Sequence, residues 1–154
     1  MSGVFSLPVS AIVILLVAID QAAKLFVAQN MRLGESIPVW AGIFHITYIK
    51  NPGAAFGMFA EQRWAFIIAG VVVIAASCVM YRRISNMEGF TRWGTALLMG
   101  GAVGNLIDRV RMGCVIDFFD FRIWPVFNIA DIGICAGVAC LIYALLQDGE
   151  KEQE

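Results

Sequence analysis

Residues 8–28 read PVSAIVILLVAIDQAAKLFVA, an apolar run whose only charged members are Asp20 and Lys24. A helix needs about 20 mostly apolar residues to cross the hydrocarbon core of a bilayer. The run therefore predicts a membrane-spanning helix that carries two ionisable groups. No Lys or Arg precedes it, and it continues well beyond the length of a signal-peptide core, so we expect a retained span.

The composition of the whole chain also favours a membrane protein. Of its 154 residues, 60% are hydrophobic and 15% are charged, and the mean hydropathy is +0.78. Soluble domains are about half apolar and a quarter charged, and a small chain exposes a large share of its surface. The net charge of −1 and the lack of a basic run offer no electrostatic basis for a nucleic-acid partner.

Three further apolar segments approach the length of a span, at residues 64–80, 93–107 and 126–146. Trp64 and Trp93 stand at the start of two of them, where interfacial aromatic residues are expected. With residues 8–28, these segments predict an all-α integral membrane protein, a four-transmembrane-helix bundle formed by the whole chain as one domain. An even number of spans places both termini on the same side.

The connections between these spans differ in character. Residues 81–92 form a short polar segment, which predicts an ordinary loop, whereas residues 30–63 are long and include IFHITYI at 43–49. Such β-branched and aromatic residues are typical of a strand, and the following Asn-Pro-Gly indicates a turn. The connection at 106–125 lies on the same face by topology. We expect a small β-rich cradle to cover one end of the bundle.

Ionisable groups at membrane depth cost on the order of 2.5–3.5 kcal/mol each and tend to mark a function. Asn105 lies three residues before Asp108, as Asn128 does before Asp131, so each pair shares a helix face. Glycines just before Asn105 would let another helix or a substrate chain approach closely. The carboxylates expected near the cradle end are Asp20, Asp108, Asp117, Asp120 and Asp131.

Neighbouring carboxyl groups cannot both ionise cheaply, so two of them can share one proton. The ionised member can take a proton from water while the protonated member hydrogen-bonds a carbonyl, which hydrolyses an amide without a covalent intermediate. Ion pairing at helix ends is the alternative reading, with Asp108 against Arg109 or Arg111, and Asp20 against Lys24. Asp131 has no cation nearby in the sequence, so ion pairing explains it less well.

Other functional classes fit the residues less well. A cation-coupled transporter would use membrane carboxylates, but transporters favour internal repeats and midplane sites, and no repeat is evident. A membrane scaffold with structural ion pairs is a third class. A thiol oxidoreductase needs a CxxC motif, and the sequence has none. The single histidine, His45, lies in the expected strand and is interpreted as a satisfied or surface residue.

Five sequence blocks carry a resemblance to a known family. They are AIDQAAK at 18–24, KNPGAAFG at 50–57, GGAVGNLIDR at 100–109, VIDF at 115–118 and FNIAD at 127–131. In this order they resemble the lipoprotein signal peptidases, also called signal peptidase II, across nearly the whole chain.

The resemblance implies Asp117 and Asp131 as the catalytic pair, although Asp120 is an alternative to Asp117. It implies a structural role for Asp108. It further implies a set of supporting or substrate-binding positions, namely Asp20, Lys24, Asn51, Gly57, Asn105, Arg109 and Asn128.

The resemblance also implies a substrate, a prolipoprotein whose cysteine carries a diacylglyceryl group and which is cut just before that cysteine. The expected partners are these precursors, membrane lipids and globomycin-like peptide inhibitors, with no metal and no cofactor. The family places the enzyme in the bacterial cytoplasmic (inner) membrane with both termini cytoplasmic. Its active site would lie near the outer leaflet, beneath an extracytoplasmic cradle between helices 1 and 2.

Overall fold

The computed structural model describes residues 8–53, 63–85 and 89–151. Within these ranges the chain forms four helices and three strands. In chain order they are α1 (Val9–Asn30), β1 (Ser36–Trp40), β2 (Phe44–Asn51), α2 (Arg63–Ser85), α3 (Phe90–Met112), β3 (Val115–Asp120) and α4 (Ile129–Lys151).

Each predicted span corresponds to a helix, but the helices differ in apolar length. In the described part of the chain, Val9–Asn30 and Ile129–Gln147 are long and apolar enough to cross a membrane. Trp64–Val79 is apolar but shorter. The loop predicted over 81–92 was wrong at both ends, because α2 continues to Ser85 and α3 begins at Phe90. Polar residues there extend the helices beyond their apolar sections.

Helix α3 lies at the centre of the bundle and packs against α1, α2 and α4. Its glycines allow this close packing, since a Cβ atom on Gly94 would lie 2.8 Å from the carbonyl oxygen of Gly137 on α4. A Cβ atom on Gly101 would meet the carbonyl oxygen of Ala130, and one on Gly100 would lie 2.9 Å from Leu16. The close approach that was expected at Gly100 and Gly101 is therefore made by neighbouring helices.

The three strands form one antiparallel sheet in the order β1-β2-β3. The strand predicted at 43–49 is confirmed as β2. The prediction that the cradle lies between helices 1 and 2 was incomplete, because β3 comes from the connection between α3 and α4. Its β-branched and aromatic residues pair with β2, opposing Asp117 to Ile49 and Asp120 to His45. The protein is thus mostly helical with a small sheet.

The start of α4 also differs from the prediction of residue 126. Phe127 exchanges backbone hydrogen bonds with Phe119, at 2.8 and 3.1 Å, so the chain is still extended there and the helix begins at Ile129. An apolar cluster then fixes the sheet against α1, formed by Val27, Tyr48, Ile116 and Phe118. This packing holds β3 beside the helix that carries Asp20 and Lys24.

Candidate active site

Asp117 lies on β3 and is only 2% exposed. Both carboxyl oxygens accept amide hydrogen bonds, Oδ1 from Asn128 Nδ2 at 2.6 Å and Oδ2 from Asn51 Nδ2 at 2.9 Å. Burial raises the pKa of Asp117 to about 7, and the charge of Asp131 adds to this, against the opposing effect of the two amides. Asp117 can therefore hold a proton near neutral pH.

Asp131 lies in the first turn of α4 and is half-buried. Its Oδ2 accepts a hydrogen bond from the backbone N–H of Asn128 at 3.2 Å, while its own backbone N–H donates to Asn128 Oδ1 at 2.9 Å. This reciprocal pair is a capping box, which explains why the helix begins here. Oδ1 of Asp131 accepts a further hydrogen bond from Asn105 Nδ2 at 2.7 Å.

Two buried asparagines connect the carboxyl groups. Asn128 Nδ2 donates to Asp117 Oδ1 and also to Asn105 Oδ1 at 3.1 Å. Asn105 in turn donates to Asp131. The predicted positions Asn105, Asn128, Asp117 and Asp131 thus form one hydrogen-bonded group where β3 meets the N-terminus of α4.

Lys24 extends this group into α1. Its buried ammonium donates to Asp20 Oδ2 at 2.8 Å, Asp108 Oδ2 at 2.9 Å and Asn105 Oδ1 at 3.0 Å. The alternative reading that paired Asp20 with Lys24 is confirmed. The alternative pairing of Asp108 with Arg109 or Arg111 was wrong, because a cation on another helix takes that place.

Both acidic partners of Lys24 also hold the backbone of neighbouring elements. Asp20 Oδ1 accepts the N–H of Ala130 on α4 at 2.9 Å, and Asp108 Oδ2 accepts the N–H of Ile116 on β3 at 3.2 Å. Gln21, which was not predicted as a site residue, also joins them, since its Nε2 donates to Asp20 and Asp108, each at 3.1 Å. An amide beside Asp20 in an apolar run was the available signal.

The remaining predicted positions lie around this centre. Asn51 ends β2 and accepts the backbone N–H of Gly53 at 3.0 Å, which orients its amide toward Asp117. Arg109 lies with its guanidinium 5.0 Å from the ring centre of Phe66 and within electrostatic range of Asp131 and Asp117. Gly57 lies outside the described residues.

Asp120, the alternative to Asp117, has different surroundings. Its Oδ2 accepts hydrogen bonds from Thr47 Oγ1 at 2.7 Å and from Arg122 Nη1 at 3.1 Å, and its Oδ1 accepts the N–H of Arg122 at 2.8 Å. Burial acts to raise the pKa of Asp120, but these hydrogen bonds and the Arg122 charge outweigh it and lower the pKa. Asp120 is thus held as an anion.

His45 and the cysteines are not members of the hydrogen-bonded group that contains Asp117 and Asp131. His45 Nδ1 lies 3.1 Å from Ser36 Oγ, but Nε2 is buried without a hydrogen-bond partner, so the expectation of a satisfied histidine holds for one nitrogen only. Four cysteines are free thiols, Cys78, Cys114, Cys135 and Cys140. Within the described ranges, no group of three or more His, Cys, Asp or Glu side chains is arranged to hold a metal ion.

Comparisons with known proteins place the chain in a family. The profile of the Signal peptidase (SPase) II family matches residues 12–147. The lipoprotein signal peptidase of Halothermothrix orenii is 46% identical over 136 residues, which cover 88% of this chain and 93% of the relative. That of Moorella thermoacetica is 44% identical over 151 residues, which cover 96% of this chain and 99% of the relative.

Two solved structures, both described as bacterial membrane enzymes, share the fold. The first is 34% identical with a TM-score of 0.85, and covers 95% of this chain and 92% of that chain. The second is 35% identical with a TM-score of 0.81, covering 91% and 93%.

A helical membrane fold with a carboxyl-rich site defines the class, an integral-membrane aspartic peptidase. The chain belongs to the signal peptidase II family, whose members remove signal peptides from prolipoproteins.

Proposed function

We propose that this enzyme removes the signal peptide of diacylglyceryl-modified prolipoproteins just before the lipidated cysteine, with Asp117 and Asp131 as the catalytic pair. The observation that carries the proposal is the position of Asn128. Its side-chain amide donates to Asp117 and its backbone exchanges hydrogen bonds with Asp131. One buried residue thus holds both carboxyl groups, and burial raises the pKa of Asp117 to about 7.

Within this proposal, Asp117 carries the shared proton because it is the more buried member and has the raised pKa. The half-buried Asp131 accepts a proton from a water molecule, whose oxygen bonds to the scissile carbonyl carbon. Asp117 donates its proton to the carbonyl oxygen, which gives a gem-diol. Return of a proton to the amide nitrogen then breaks the C–N bond and releases the signal peptide.

The supporting positions act through these two carboxyl groups. Asn51 and Asn128 orient Asp117, while Asn105 and Asn128 orient Asp131. Lys24 orients Asn105, because an ammonium can only donate and so the amide oxygen of Asn105 must face it. We assign substrate contact to Arg109 and Gly57 by the family resemblance, and the half-buried guanidinium of Arg109 suits a peptide carbonyl.

The membrane arrangement belongs to the same proposal. All four helices span the bacterial inner membrane as one domain, residues 1–154, with both termini in the cytoplasm. The sheet is then an extracytoplasmic cradle, and the carboxyl pair lies near the outer leaflet, where a signal helix ends. This arrangement is supported by the contacts at one end of the bundle, where β3, the start of α4 and the C-terminal part of α3 meet.

Substrate choice in this proposal rests on the lipid. Burying the acyl chains of the modified cysteine supplies about 0.8 kcal/mol per CH₂, so an unlipidated precursor loses most of its binding energy. Membrane lipids, which carry similar acyl chains, are the expected competitors for the same site. Globomycin-like peptides are the expected inhibitors, as the family resemblance implies.

The test uses purified enzyme in detergent with a lipidated precursor and its unlipidated form. We expect cleavage of the lipidated form only, without any ion gradient, and its loss in Asp117→Asn and in Asp131→Asn. Asp120→Asn is the matched control, since it changes a buried carboxyl group on the same strand. Turnover retained in either dyad variant would reject the assignment, and a requirement for a gradient would favour a transporter.

A further inference from the structure

Two adjacent loops at one end of the sheet expose large apolar side chains. The first, residues 40–43, begins at the last residue of β1 and carries Trp40 at 66% and Ile43 at 46% exposure. The second, residues 121–126, follows β3 and carries Ile123 at 94% and Trp124 at 70%. We call these two loops the twin tips.

The twin tips lie side by side. Trp40 pairs with Phe44 at the start of β2, and the Phe44 ring lies 4.9 Å from that of Phe121 between centroids. The sheet register agrees, because His45 opposes Asp120. The two loops therefore share one end of the sheet, opposite the end of β3 that carries Val115.

The second tip is held in its exposed position by specific bonds. Asp120 accepts the Arg122 N–H and guanidinium, and Thr47 fixes the same carboxylate. Arg122 adopts the left-handed conformation, with φ of 64°, which a non-glycine residue keeps only when its surroundings hold it. The rings of Phe121 and Phe127, whose centroids are 5.9 Å apart, stack where this loop begins and ends. Exposure of the tip is therefore part of the fold.

The second tip is also close to a membrane span. Helix α4, which is long and apolar enough to cross a bilayer, begins at Ile129, two residues after Phe127. An extended chain rises about 3.4 Å per residue, so Trp124 lies within about 10 Å of Phe127. The first turn of α4 exposes Ile132. The second tip therefore lies close to the start of an apolar span.

We propose that the twin tips insert into the interfacial layer of the phospholipid bilayer and fix the sheet at a set depth. Tryptophan is enriched in that layer because its ring is apolar and its N–H can still reach water. The exposed Arg122 guanidinium beside the tip suits lipid phosphates. Because Asn51 and Asp117 belong to the same sheet, this contact also sets the height of the carboxyl pair above the hydrocarbon core.

The contact can be measured without any catalytic assay, so it stands or falls independently of the proposed chemistry. The chain has four tryptophans, at 40, 64, 93 and 124. Full-length variants that keep only Trp124 or only Trp40, with phenylalanine at the other three, are reconstituted into phosphatidylcholine vesicles. Their emission is quenched by lipid brominated high on the acyl chains or by aqueous iodide, with N-acetyltryptophanamide as the reference for water.

We expect brominated lipid to lower the emission of each variant at least twofold, and iodide to quench it several-fold less than it quenches the reference. Iodide quenching equal to the reference would overturn the proposal. So would iodide protection that depends on the protein-to-lipid ratio, which would indicate a second copy of the chain. Protection that appears only when lipidated precursor is added would overturn it in favour of a substrate contact.

Discussion

The side-chain amide of Asn128 donates a 2.6 Å hydrogen bond to Asp117, and the orientation of that amide is fixed by Asp131. The backbone N–H of Asp131 can only donate, so it must face Asn128 Oδ1, which leaves Nδ2 directed to Asp117. Lys24 fixes Asn105 in the same manner, which directs the Asn105 Nδ2 group to Asp131. Each carboxyl group thus receives an amide whose orientation other groups determine.

The first prediction concerns the replacement of Asn128 by Asp. Aspartate is as good an N-cap as asparagine, so helix α4 should keep its start. The variant nevertheless lacks the donor to Asp117 and adds a third carboxyl group beside it. We expect turnover of a lipidated precursor to fall by about 100-fold, within the range that one acid-base group contributes.

The control for this variant is the thermal midpoint in detergent together with the far-ultraviolet circular dichroism spectrum. Helix content close to that of the parent protein would show that the loss is chemical. Turnover within about twofold of the parent would mean that Asn128 does not orient the pair.

The second prediction is the pH dependence of turnover. Burial raises the pKa of Asp117 to about 7, so this residue holds a proton below that pH and loses it above. Since the mechanism needs the proton on the acid partner, kcat/KM should fall as the pH rises from about 7 to 9, because kcat/KM follows the titration of the enzyme without bound substrate. Initial rates at precursor concentrations well below KM would measure this decline.

Asn51→Ala offers a matched test of the same titration. The hydrogen bond from Asn51 acts to lower the pKa of Asp117. Its removal should therefore move the decline in turnover to higher pH. A decline that stays at the same pH in this variant would assign the titration to another group.

Much of the fold follows from local patterns in the sequence. The apolar runs predicted four helices, and β-branched and aromatic residues predicted β2, because each signal is carried by neighbouring residues. Strand β3 was not predicted, since VIDFFD is short and its partner β2 lies about 70 residues earlier. The prediction of a loop at residues 81–92 was wrong because a polar helical turn resembles a loop in composition.

In the candidate site, too, the features carried by local sequence were predicted and those that depend on distant partners were not. The sequence predicted that carboxylates and amides gather at one end of the bundle, and the structure brings Asp20, Lys24, Asn105 and Asp131 together there. The cation partner of Asp108 was assigned to its chain neighbours. Lys24 takes that place from a different helix, and pairing between helices depends on packing that local spacing does not contain.

The third prediction concerns the buried charges around Lys24. Lys24→Met removes the ammonium and leaves Asp20 and Asp108 buried without their cation. Breaking a buried ion pair in this way destabilises a protein by about 3–5 kcal/mol. We expect a marked drop in the thermal midpoint, measured in detergent by the loss of helical circular dichroism.

Adding Asp108→Asn to this variant removes one of the unpaired charges and should recover part of the lost stability. If the double variant is less stable than Lys24→Met alone, charge balance is not the reason for the loss.

The fourth prediction uses a pair of helical glycines. A Cβ atom on Gly104 would lie 2.7 Å from Asp20 Oδ2 and 3.3 Å from the Ala130 side chain, so Gly104→Ala must separate α3 from α1 and α4. Overpacking of this kind costs about 1–3 kcal/mol.

The matched control is Gly70→Ala on α2, where a Cβ atom would make an ordinary 3.6 Å contact with Leu106. Because alanine favours a helix over glycine by about 0.5–1 kcal/mol, this control should be neutral or slightly stabilised. Equal thermal midpoints for the two variants would contradict the tight approach at Gly104.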